Sequence, residues 1–350
     1  MANAIVPAPN LSTRNQSAMP QRSSLLFLLV IFALTARAAA PEMAPTLAAG
    51  SEVQLFIEND MLANTDRYYT NGIKFGIGLP FELLQTPAAN VLRSLDPDNG
   101  EDIHVGLFLG HSIYTPRDIT IAAAQPHDRP WAAWLYLGGV AQRARGNRLD
   151  TVEFDIGVVG PAALGKEVQT AWHRQLDADE PRGWGNQGAS EPAFMISYLQ
   201  KRRYGGDNAD VILHGGASLG TVMVLARTGI MLRFGQRLSG FGPDTIEPGG
   251  AMLHGTRAQG MAAYAGNSWN VFAGVDYRLV AHNIFLDGPV FRDGPGVARR
   301  NHVRDLSVGV SMRIDRLRFS WTRIQRSEEF RRISGKGSQR FDSLNLGFEF

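Results

Sequence analysis

Cysteine is absent from the 350 residues, so disulfides, thiolate nucleophiles and thiolate metal sites are excluded, and any chemistry must come from oxygen and nitrogen groups. Long apolar runs are equally scarce. The N-terminal apolar segment Leu25 to Leu34 is too short to cross a bilayer as a helix, and no long apolar run follows it. That excludes a membrane helix, not a membrane. Lysine occurs only at Lys74, Lys166, Lys201 and Lys336, which leaves the basic side to arginine, whose planar fork suits phosphate and carboxylate. A high-GC codon bias enriches Arg, Ala and Gly together, so this favours an anionic partner only weakly. With a net charge of +2 and no basic run interleaved with aromatics, nucleic acid is not an expected partner.

Residues 1–40 read as an export signal. Arg14 and Arg22 precede the apolar core Leu25 to Leu34, and Ala36-Arg37-Ala38-Ala39-Ala40 follows it. The Pro- and Ala-rich residues 41–50 read as a disordered lead-in, and 51–350 as one domain. From Glu52 onward the dominant period is two. Strands are expected near 52–59, 67–79, 103–113, 130–143, 149–159, 191–203, 209–219, 222–234, 268–281, 302–314, 316–327 and 341–350. Joints near 215–220 and 314–316 are tight, whereas 236–267 and 282–301 are long, in keeping with short turns at one rim and long loops at the other.

The last segment is the clearest. Leu344, Leu346, Phe348 and Phe350 face one way, while Ser343, Asn345, Gly347 and Glu349 face the other, one side for lipid and the other for a polar lumen. Val152, Phe154, Ile156 and Val158 alternate in the same manner with Thr151, Glu153, Asp155 and Gly157. A soluble sandwich also alternates, but it has no need of carboxylates on its inner face in several strands. The expected fold is all-β, an antiparallel transmembrane β-barrel of about twelve strands. A short helix at Gly165 to Leu176 interrupts it in an extracellular-side loop, with Val168, Ala171, Trp172, Gln175 and Leu176 at helical spacing.

Two stretches carry chemistry. Phe56-Ile57-Glu58-Asn59-Asp60 and Asp66-Arg67-Tyr68-Tyr69-Thr70-Asn71-Gly72 gather oxygen donors at two neighbouring strand ends, which suits either a hard cation such as calcium or plain turn chemistry. On the helix, Gln169 and His173 are four apart and share a face. A neutral imidazole is the usual base for activating water, and a neighbouring carboxylate would orient it. No G-x-S-x-G elbow occurs in a strand-turn-helix context.

These motifs, in this order and with Gly160-Pro161 and Gly183-Trp184 around the helix, resemble the outer-membrane lipid A 3′-O-deacylases of the LpxR family. The resemblance implies a twelve-stranded barrel with a calcium-dependent esterase site near its outer rim, acting on lipid A of lipopolysaccharide in the bacterial outer membrane. It places Asn59, Asp60, Thr70 and Gln169 at the metal and oxyanion region and His173 as general base. The carboxylate partner of His173 is divided between Asp179 and Glu180, because the family has a glutamate where Asp179 stands. Arg117 is offered for a basic residue that the family carries after the third strand, and Asn71 and Trp184 are expected to touch substrate. Water or Thr70 is the nucleophile. A monomer is expected. The alternatives are an outer-membrane phospholipase and a non-catalytic barrel or pore.

Overall fold

The computed structural model describes residues 50–60, 67–80, 90, 91, 94, 103–247, 249, 253, 266–332 and 337–350. The expected export signal, the lead-in up to residue 49, and Asp66 lie outside them. Period two becomes strands throughout: β1 (Glu52–Asn59), β2 (Tyr68–Pro80), β3 (Ile103–Thr115), β4 (Ala132–Arg145), β5 (Arg148–Val159), β6 (Glu191–Gly205), β7 (Ala209–Gly220), β8 (Met223–Gln236), β9 (Ser268–Asn283), β10 (His302–Ile314), β11 (Leu317–Arg326) and β12 (Gln339–Glu349). Each pairs antiparallel with its sequence neighbours, and β12 closes on β1, giving a twelve-stranded closed barrel. Closure removes the unpaired edges that a bilayer would not tolerate. No helix of the described residues is long and apolar enough to cross a membrane.

The two faces divide by residue type. Leu107, Leu109, Leu137, Phe154, Ile156, Leu232, Phe234 and Val308 are exposed on the outer wall, the apolar band a bilayer covers. Their neighbours turn inward. Glu153 and Asp155 are buried between Phe154 and Ile156, so the carboxylate-bearing inner face expected of this strand is present. Several inner charges are paired, between adjacent strands or across the lumen, which lowers the cost of burying them. Lys74 meets Glu153 at 2.9 Å, Arg233 meets Asp210 at 2.6 Å, and Arg326 bridges Asp305 at 2.9 Å and Glu247 at 3.0 Å.

The tight turns at 146–147, 206–208 and 315–316 share a rim with the chain end at Phe350, the short-turn side of an outer-membrane barrel. The strand order puts the long joint 237–267 at this same rim, not among the long loops where the simple alternation of joint lengths would leave it. It folds inward. The Ile246 amide donates to Glu58 Oε1 at 2.8 Å, Tyr114 donates to Glu247 at 3.4 Å, Lys201 pairs with Asp244 at 2.7 Å, and Ile246, Glu247 and Leu253 are buried. These residues plug part of the lumen, which resolves the conflict between loop length and rim.

At the other rim lie the β5–β6 excursion with helix α1 (Gly165–Leu176), and the β9–β10 loop opening with the single turn α2 (Ile284–Asp287). Asn283 caps α2 by accepting from the Phe285 amide at 3.0 Å, and Phe285 then stacks on Tyr114 with ring centroids 3.9 Å apart.

Candidate active site

The site begins with a break in a ladder. Along β2 and β3 the partners run Tyr69–Tyr114 and then Asn71–Ile113, so Thr70 is an extra residue in a bulge. A bulge re-aims side chains. Tyr69 turns into the lumen, where its hydroxyl donates to Glu58 at 2.8 Å and its amide to Gln339 at 2.8 Å. Asn71 shares the outward parity of the exposed Ile73 and Phe75, and the Thr70 hydroxyl meets that of Thr115 at 2.8 Å. Both threonines are buried.

The strand register sets these residues in a row. Asp342 of β12 pairs with Asn59 of β1, Asn59 with Asn71 of β2, Asn71 with Ile113 of β3, and Ile113 with Ala133 of β4. On the outer wall this is the level just above the lipid-facing band. Asp60 follows Asn59 and is buried. Its Oδ2 accepts the Arg67 amide at 2.7 Å, closing the β1–β2 connection. Turn chemistry and donor clustering therefore coexist at this carboxylate. Asn71 Oδ1 is buried with no hydrogen-bond partner among the described residues.

Helix α1 lies on the outside of the wall over the β3 and β4 end of that row. Ile113, Ile119, Trp131, Ala133, Ala163 and Trp184 form one buried cluster, and His111 fastens to the Ala163 carbonyl at 2.8 Å. Gly165 permits the approach, since a Cβ there would stand 2.5 Å from both Ala133 and Trp184. Gly183 does the same for Trp131, whose ring would lie 2.5 Å from a Cβ. The tryptophans pack with centroids 4.9 Å apart. The loop is tied down further where the Arg182 amide donates to the Ile119 carbonyl at 2.8 Å.

The side of α1 that faces the protein is not the apolar one. Gly165, Gln169 and His173 are buried, while Val168 is 39% exposed and Ala171 is also exposed. The helical spacing of Val168 and Ala171 is real, but those residues face outward, as on a helix resting against lipid. Gln169 accepts from Trp184 Nε1 at 2.9 Å. An indole nitrogen only donates, so this bond fixes the amide, and Gln169 Nε2 is left buried without a partner among the described residues. It is a donor in search of an oxygen.

At its C-terminus α1 ends in Asp177, a left-handed residue with φ of 52°, a common way to stop a helix. The chain doubles back, the Ala178 amide donates to the His173 carbonyl at 2.9 Å, and the Asp179 carbonyl reaches His173 Nδ1 at 2.6 Å. A carbonyl only accepts, so Nδ1 carries the proton and Nε2 keeps its lone pair in the neutral ring. Asp179 and Glu180 are exposed, and Glu180 lies 3.5 Å from Arg182. The main chain of Asp179 thus does what was expected of a carboxylate. Arg117 is exposed two residues beyond Thr115. Among the described residues no three His, Cys, Asp or Glu group as a metal site. Any cation here would be held by one carboxylate, Asp60, together with the neutral oxygens of Asn59, Thr70 and Asn71, a hard donor set that fits calcium better than a transition metal. Thr115 and Trp131 escaped the sequence reading because their roles depend on neighbours across the sheet.

The family model for outer membrane protein LpxR matches residues 25–350. The chain belongs to the LpxR family. LpxR from Salmonella typhimurium superposes with a TM-score of 0.66 at 20% identity, over 85% of this chain and 100% of that one, a likeness of fold. The beta domain of the Bordetella autotransporter BrkA gives 0.40 at 11% identity, over 86% and 98%. The translocator domain of the autotransporter NalP from Neisseria meningitidis gives 0.36 at 10% identity, over 94% and 99%. No curated protein matches the chain in sequence. LpxR membership makes this an outer-membrane protein, and it supports a lipid A deacylase activity.

Proposed function

We propose that the chain is an outer-membrane esterase that removes the 3′-O-linked acyloxyacyl group of lipid A. The observation that carries this reading is His173, buried on the protein-facing side of a helix that lies against the outer wall, with Nδ1 held by the Asp179 carbonyl at 2.6 Å. An enzyme acting on a lipid of the surrounding leaflet needs its base on the outer wall and not in the lumen.

On this reading His173 Nε2 takes a proton from water, and the water oxygen adds to the ester carbonyl. The developing oxyanion finds the buried Nε2 of Gln169, a preorganised donor. The imidazolium then returns the proton to the departing sugar oxygen, releasing the acyl chain as a carboxylic acid. Calcium held by Asn59, Asp60 and Thr70, with Asn71 beside them, would supply Lewis-acid polarisation of the carbonyl. The hydroxyl of Thr70 is engaged with Thr115, which favours water over Thr70 as the nucleophile. Trp184 positions Gln169, and Arg117, exposed at the start of the neighbouring loop, is available to the headgroup. The test is release of the acyl group from purified lipid A by the full chain in detergent, with His173→Ala as the inactive control.

A further inference from the structure

The row that holds Asn59 and Asn71 continues away from α1. Asp342 pairs in register with Arg323 of β11, and the two side chains form a two-pronged bond at 2.9 Å on each prong. Arg323 is still 38% exposed and lies over the Trp321 ring at 5.5 Å. One step nearer the outer rim, Arg340 of β12 is exposed, and its Nε donates to Gln325 at 3.0 Å. On β10, Arg304 is exposed at the same end of the strand, with its amide bonded to Ser327 at 2.9 Å. Directly below these three arginines the outer wall turns apolar, with Leu306 and Val308 exposed on β10.

Arg304, Arg323 and Arg340 thus form a patch of guanidinium groups on three adjacent strands, at the level where a headgroup meets hydrocarbon. The patch adjoins the candidate site on the side opposite α1. Three strand spacings of about 4.8 Å put Arg323 roughly 14 Å from Asn71 along the wall. In the lumen Arg233, Arg278 and Arg326 pair with buried carboxylates; these three arginines face outward.

We infer that Arg304 and Arg340, with Arg323 held beside them by Asp342, form a subsite for a phosphate on the headgroup of the outer-leaflet glycolipid, setting its sugar across β12, β1 and β2 while the acyl ester lies under α1. The inference rests on the lipid A reading and deepens it. Guanidinium groups are matched to phosphate oxygens by geometry as well as charge, and a phosphate clamped at one end of the row fixes which ester reaches His173.

The experiment measures binding separately from turnover. The full chain and the Arg304→Gln/Arg340→Gln double variant are compared for affinity toward detergent-solubilised bisphosphorylated lipid A and toward the same lipid A stripped of phosphate by a phosphatase, both in the His173→Ala background. Vesicles of phosphatidylglycerol serve as an anionic control. Heat-modifiable gel mobility reports folding, which these exposed positions should leave unchanged. The subsite predicts binding about tenfold weaker for phosphorylated lipid A in the double variant, with affinity unchanged for the dephosphorylated lipid and for phosphatidylglycerol. Equal losses on all three lipids, or no loss on phosphorylated lipid A, would overturn it. Because no hydrolysis is read, failure here is distinguishable from failure of the proposed activity.

Discussion

The Nδ1 atom of His173 and the carbonyl oxygen of Asp179 are 2.6 Å apart, and it is the left-handed Asp177 that brings them together. The ring is therefore oriented by main chain, so the side chains of Asp179 and Glu180 are expected to matter little. Asp179→Asn and Glu180→Gln should each keep acyl-release rates within about threefold of the parent, whereas His173→Ala should lose on the order of 100-fold or more, the usual worth of a general base. Initial rates on lipid A at saturating substrate measure this.

Gln169 and Trp184 act as a pair, one bond at 2.9 Å holding the amide. Gln169→Ala should lower kcat by about 100-fold, as removal of an oxyanion donor does. Trp184→Phe keeps the packing against Trp131 but releases the amide. It should cost a smaller part of kcat and about 1 kcal/mol of stability. A fall in KM-dependent terms alone, with kcat intact, would place Gln169 in ground-state binding instead.

Asp60 is the only carboxylate among the proposed cation donors, so its charge dominates any attraction. Asp60→Asn should shift the free calcium needed for half-maximal activity upward by at least about tenfold, since fewer ligand charges weaken calcium sites. Titration with calcium after chelation reads the shift. Because Asp60 also closes onto Arg67, Asn at this position, which keeps the acceptor oxygen, separates charge from loop closure.

Inside the barrel, Arg326 joins the plug residue Glu247 to Asp305. Glu247→Ala removes one of the carboxylates around the buried Arg326 guanidinium, which keeps Asp305, and should cost about 1.5–3 kcal/mol, read as a lower unfolding midpoint in urea. Tyr69 and Tyr114, on the same strands as Thr70 and Thr115, bond into this network through Glu58 and Glu247, so acyl release should decline at temperatures where the parent is still fully active.

The strands were legible because period two is local, and the barrel because β12 alternates cleanly from Ser343 to Phe350. The oxygen donors of Asn59, Asp60 and Thr70 and the i, i+4 pair Gln169 and His173 were legible as residue types at strand and helix positions. The row from Arg323 to Ala133 was not, because cross-strand register joins residues far apart in sequence. The inward course of residues 237–247 was not legible because loop length says nothing about which side of the wall a loop takes. Val168 and Ala171 lie at helical spacing, and in a helix in water an apolar stripe of that kind faces the core. On the outer wall of a membrane barrel that logic inverts, and the polar pair is the buried one.

Mass spectrometry of lipid A incubated with the purified full chain in detergent bears most directly on the account. The expected result is loss of the 3′-linked acyloxyacyl group, with glycerophospholipid left intact, abolished both by chelation and by His173→Ala in a protein that still shows the folded gel mobility. Undiminished release by His173→Ala, or release from phospholipid but not from lipid A, would contradict it.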